Sequence, residues 1–64
     1  MNQPDIEPAQ VFEDRIYAGE WRVQWFDDHG DCEVAIFTGP KSRERAIQYA
    51  ERQYGLFEEL RFDR

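Results

Sequence analysis

A length of 64 residues, a net charge of −6 and a single cysteine exclude more than they assign. So short a chain forms one domain at most and buries only about 60% of the surface its unfolded form exposes, so it is marginal without a disulfide, a metal or a partner. Cys32 is alone, which excludes an internal disulfide, and no apolar run approaches the ~20 residues of a membrane span.

The start, "MNQPDIEPAQ", is polar and acidic and lacks the basic and apolar regions of a signal peptide. The expectation is a soluble, cytoplasmic protein with no membrane partner. Its core must come from aromatic bulk: two Trp, five Phe and three Tyr. The charge is uneven. Residues 1–40 hold nine acids against two bases, and residues 41–64 hold five acids against six bases. Nucleic-acid binding normally shows a basic footprint, so direct contact with nucleic acid is not expected. The field favours cationic partners, meaning basic protein surfaces or metal ions.

Residues 1–10, with Pro4 and Pro8, read as a flexible lead-in, and residues 11–64 as a single domain. "EWRVQWFD" places Trp21, Val23 and Trp25 on one face and Glu20, Arg22 and Gln24 on the other, which is the period of a half-buried strand. "CEVAIFT" alternates likewise. Gly19 reads either as a bulge extending the first strand back to Ile16 or as part of an Ala18-Gly19 turn that makes Ile16 and Tyr17 a separate strand.

Taking His29-Gly30 as a two-residue turn sets Trp25 opposite Val34 and Val23 opposite Ile36, with Cys32 inward. "PKSRERAIQYAERQYG" reads as a helix with Pro40 at its first turn, an inner stripe of Ala46, Ile47, Ala50 and Tyr54, and Gly55 at its C-terminal stop. In "LFEELRFDR", Leu60 and Phe62 alternate with charge and predict a third strand, placed beside the first hairpin strand and antiparallel to it.

The predicted fold is therefore α+β: a three-stranded antiparallel sheet, hairpin 20–28/31–38 plus a C-terminal strand 57–63, packed on one helix over 41–54. One helix covers one face of such a sheet. The predicted open face carries Arg22, Gln24, Phe26, Glu33, Ala35 and Phe37. The preferred account of its two phenylalanines is cover by Val11 and Phe12; the alternative is a binding surface.

"WFDDHGDCE" concentrates acids with the only His and the only Cys. Its spacing matches neither a calcium loop nor a zinc site, so no metal and no cofactor is expected. Asp and Gly here are turn formers. No nucleophile, base and orienting acid line up, so no enzyme is expected. "TGPKS" lacks the P-loop pattern and reads as a helix entry. Arg45 and Arg52 have no carboxylate three or four residues away and read as solvated.

Residues 19–55, through Trp21, Asp27, Gly30, Phe37, Thr38, Ala46 and Tyr49, resemble the Arm-type DNA-binding domains at the N-terminus of phage integrases. The resemblance implies a sheet-plus-helix scaffold. It does not carry the DNA contacts over, because the family's sheet is basic and this hairpin holds Glu20, Asp27, Asp28, Asp31 and Glu33 against Arg22. In overall character the chain resembles small inhibitors encoded by phages and mobile elements, including anti-restriction and anti-CRISPR proteins, several of which mimic DNA. The functional expectation is a protein-binding protein whose hairpin acids Glu20, Asp27, Asp28, Asp31 and Glu33 meet a basic groove. The alternative is a structural or adaptor module, or a homodimer, that uses a Phe26/Phe37 face or a sheet edge.

Overall fold

A computed structural model describes residues 8–62 of the chain. Its elements in order are β1 (Ala9–Glu13), β2 (Trp21–Phe26), β3 (Cys32–Phe37), α1 (Ser42–Tyr54) and β4 (Phe57–Leu60). The four strands form one mixed sheet in the order β3-β2-β1-β4, with α1 packed on one face. The α+β class matches the sequence reading, but the three-stranded antiparallel sheet does not. An additional strand, β1, occupies the place beside β2 that was expected for the C-terminal strand, and β4 pairs with β1 in parallel.

The chain path explains both corrections. Helix α1 follows β3 and carries the chain back across the sheet, so the strand that follows it runs in the direction of β3. That direction is also the direction of β1. The helix needs two strands beneath it, and β2 and β1 supply them. Within β1, Ala9 and Val11 are fully buried and Gln10 and Phe12 point the other way. Ala9 and Gln10 are therefore strand rather than lead-in; the rest of the lead-in, apart from Pro8, lies outside the described residues.

The core is small. Ala9, Val11, Val23, Ala46 and Ala50 are buried, and Trp21, Trp25, Ala35, Phe37, Ile47, Tyr49, Tyr54 and Phe57 pack around them. Ala46 and Ala50 let the helix lie close over the facing Val11–Val23 pair. Rings close the sides: Trp25 stacks on Tyr54 at 5.0 Å, and Phe37 leans on Tyr49 at 5.4 Å. The helix begins at Ser42, after Lys41 in a left-handed conformation. The Ser42 hydroxyl donates to the Gly19 carbonyl at 2.7 Å and pins the helix start to the β1–β2 loop. Gly55 ends the helix at positive φ as expected, and Leu56 after it is 56% exposed.

The β1–β2 loop contains the Ala18-Gly19 turn, closed by the Glu20 N–H donating to the Tyr17 carbonyl at 3.1 Å, but it holds no bulge and Ile16–Tyr17 is not a separate strand. The Asp14 carboxylate accepts the N–H groups of Ile16 and Tyr17 at 2.7 and 2.9 Å, and Glu13 accepts that of Gly19 at 2.8 Å. These local bonds hold Ile16 and Tyr17 in a turn that leaves both side chains exposed.

The β2–β3 register is one residue away from the expected one. Trp25 faces Glu33, Val23 faces Ala35 and Trp21 faces Phe37. The cause is the turn. The Asp27 N–H donates to the Asp31 carbonyl at 2.9 Å and the Gly30 N–H to the Asp27 carbonyl at 3.0 Å, so the loop is Asp28-His29-Gly30 rather than His29-Gly30. Gly30, at φ +85, takes the left-handed position that a three-residue hairpin loop requires. An odd loop moves every β3 side chain to the opposite face. Glu33, Ala35 and Phe37 therefore lie under the helix, and Cys32, Val34 and Ile36 share the open face with Phe26. Phe12, expected to cover that face, is part of it, while Val11 is in the core.

Enlarging Ala50 to Leu should separate helix from sheet and cost about 1–3 kcal/mol. The same change at exposed Gln48 should stay within about 0.5 kcal/mol. Urea denaturation of both variants checks the difference.

Candidate functional site

The acidic end of the β2–β3 hairpin is built by its turn. One carboxylate oxygen of Asp27 accepts the N–H groups of His29 and Asp31, each at 2.9 Å. That carboxylate is committed to holding the loop. Asp28, Asp31 and Glu33 are exposed. Glu33 accepts the Tyr54 hydroxyl at 3.1 Å, which ties the hairpin to the C-terminal end of α1. Helix C-termini carry partial negative charge, so this end of the fold gathers acids and a dipole of the same sign.

Two cations are paired elsewhere. Arg22 meets Asp14 at 3.1 Å and Glu20 at 2.9 Å, and Arg43 meets Glu59 at 2.8 Å. These pairs lie toward the opposite end of the sheet. None of Asp27, Asp28, Asp31 and Glu33 makes an ion pair with a described residue. Glu20, grouped with them on sequence grounds, sits at the far end of β2 and is held by Arg22.

Phe26 and Phe37 also part company. Phe26 is 43% exposed on the open face, while Phe37 packs under the helix against Tyr49 with Arg45 over its ring at 6.0 Å. Cys32 is exposed rather than inward. The residues that sequence reasoning missed are Val34 and Ile36, 49% and 53% exposed. The signal for them was present in Asp27 and Gly30, spaced for a three-residue loop.

Among the described residues no group of three or more His, Cys, Asp or Glu side chains could hold a metal ion, and no helix is long and apolar enough to cross a membrane. A cavity of about 330 Å³ lies at the opposite end of the sheet, lined by Arg15, Arg43 and Arg61 with Trp21. Glu13 and Glu59 also line it, and Arg43 is engaged by Glu59, so its charge is largely balanced. The Arg43 hydrogen bonds hold the Glu59 carboxyl below the usual carboxylate range. Burial, aided by the bond to Glu33, pushes the Tyr54 hydroxyl well above the tyrosine range. No protein-family model, no curated protein and no solved structure matches the chain.

Two outcomes follow from this geometry. Cys32 should react in the native protein at micromolar or lower concentration at close to the rate of a free thiol, read by a colorimetric disulfide reagent; an inward cysteine would be protected. Tyr54 has a folded pKa above its unfolded one, so its share of stability is whole below pH ~10 and falls as pH rises beyond it. Alkaline unfolding followed by tryptophan fluorescence should show a shallower loss for Tyr54→Phe than for the parent.

Proposed function

We propose that this chain is a protein-binding protein that docks the acidic end of its β2–β3 hairpin on a basic protein surface. The observation that carries the reading is the absence of any cation partner for Asp27, Asp28, Asp31 and Glu33 among the described residues, while Arg22 and Arg43 are engaged elsewhere. Unneutralised carboxylates on a rigid turn attract a complementary positive groove and speed its encounter. The grooves of nucleic-acid-binding proteins have that sign, since they evolved to meet phosphates. An inhibitor of phage or mobile-element origin that occupies such a groove in place of DNA fits this reading. It needs no catalytic step, cofactor or metal. The exposed pair Asp28 and Asp31 supplies the free charge, and Glu20 is outside the docking surface.

A second reading, an adaptor working through the open sheet face, draws support from the exposure of Phe26, Val34 and Ile36. In that reading Phe37 has no part, because it faces the helix.

Capture from cell lysate at low and high salt separates the two. The acidic end predicts capture of basic nucleic-acid-binding proteins that is lost at high salt. Asp28→Lys with Asp31→Lys should weaken it by about tenfold or more, and Phe26→Ser should leave it within about twofold. The reverse pattern would support the adaptor and sink the charge reading.

A further inference from the structure

The two edges of the sheet are built differently. The edge strand β4 is short, Phe57–Leu60, and carries Glu58 and Glu59 with Arg61 following. Short length and charge are the usual devices that keep an edge from pairing with another chain. The other edge, β3, runs Cys32–Phe37 with no proline and no lysine, and Glu33 is its only charged residue. It is the most exposed strand of the sheet: Cys32, Glu33, Val34 and Ile36 are all exposed.

The hydrogen-bond alternation fixes what β3 offers. It starts from the Asp27 N–H bond to the Asp31 carbonyl. Counting along the ladder in the observed register, Glu33, Ala35 and Phe37 direct their backbone groups at β2. Cys32, Val34 and Ile36 turn their N–H and C=O groups to the free edge.

The geometry points to antiparallel pairing of β3 with β3 of a second copy of this chain. Val34 set opposite Val34 of the second copy places Cys32 opposite Ile36 and pairs every free N–H and C=O of these residues. Cross-strand neighbours then share a face, so the apolar residues of both copies merge into one strip. On the helix side, Glu33 comes opposite Ala35 and beside Phe37 of the second copy. Arg45, which has no carboxylate partner among the described residues, lies over that Phe37 ring. The pairing thus gives Glu33 and Arg45 opposite-charge neighbours across the interface, twice by symmetry. A two-fold arrangement of this kind closes on itself and stops at a dimer, because β4 does not extend it. The hairpin tips point in opposite directions: Asp28 stays free in both copies, and Asp31 comes opposite Phe37 of the second copy, near the Arg45 over that ring.

Sedimentation of the purified full chain over low micromolar to millimolar concentration tests this. The expected result is a monomer–dimer equilibrium, with amide exchange at Cys32, Val34 and Ile36 slowing as concentration rises. Val34→Pro removes an edge N–H that no bond among the described residues uses, and it should leave a folded monomer. Ile36→Lys, at a half-exposed site, should weaken the dimer by about tenfold or more with unchanged circular dichroism, and it decides the matter if the proline variant misfolds. Phe26→Lys, on the neighbouring strand, should leave the dimer intact. A chain that stays monomeric throughout overturns the inference. So does a dimer that survives Ile36→Lys, or one that Phe26→Lys abolishes, since that result would place the contact on the open face.

Discussion

The close contact of Ala46 and Ala50 with the Val11–Val23 pair is the constraint from which the rest of the fold follows. Two alanines give the helix little to bury by themselves. Their value is that they bring its axis near the sheet, so that Trp21, Trp25, Phe37, Tyr49 and Tyr54 can close around the contact from the sides. The helix must therefore sit over the two middle strands, which makes β1 an essential strand and leaves β3 and β4 as edges. Aromatic side chains supply most of the bulk in a core whose fully buried members are alanines and valines. Losing β1 would remove half of that central contact.

The parts of this design legible in the sequence were those with strong local periodicity. The alternation of Trp21, Val23 and Trp25 fixed which side of β2 is inward, and the helix stripe with its Gly55 stop was read almost to the residue. β1 was not legible for a physical reason. Its five residues include Gln10 and Glu13, follow two prolines, and show only Val11 and Phe12 as an apolar pair. Its stability comes from ladders on both sides, which are non-local. The last strand was recognised but misplaced, because the direction forced by the helix matters only once β1 is known to exist.

The hairpin register shows how a single loop residue decides a surface. Pairing large apolar side chains across the strands favoured the two-residue loop on paper. The turn prevailed because Asp27 satisfies the loop amides with its own carboxylate, and Gly30 takes the left-handed conformation cheaply. Hydrophobic matching was not lost. Phe37 and Ala35 lie on the helix face as suitably as Val34 and Ile36 would have done. What changed was the character of the two outer surfaces: an aliphatic strip was turned outward on β3, and Glu33 was brought to Tyr54. The residues grouped from the sequence are accordingly divided between two places in the fold. Asp27, Asp28, Asp31 and Glu33 come together at one end, and Glu20 and Phe37 belong elsewhere.

Charge and edge chemistry also bear on each other. A chain of net charge −6 resists self-association in general, because like charges repel across any compact interface. Parallel stacking would bring the acidic hairpin ends side by side. Antiparallel pairing of β3 would separate them by about the length of one strand and set Glu33 near Arg45 instead. The repulsion that opposes association at large thus selects one orientation. A dimer held in that way carries an acidic end at each extremity. If those ends dock as proposed, two of them on a rigid sheet would gain from effective concentration wherever a partner offers two basic sites at that spacing. The same edge that completes the small core's environment would then set the spacing at which its charge is displayed.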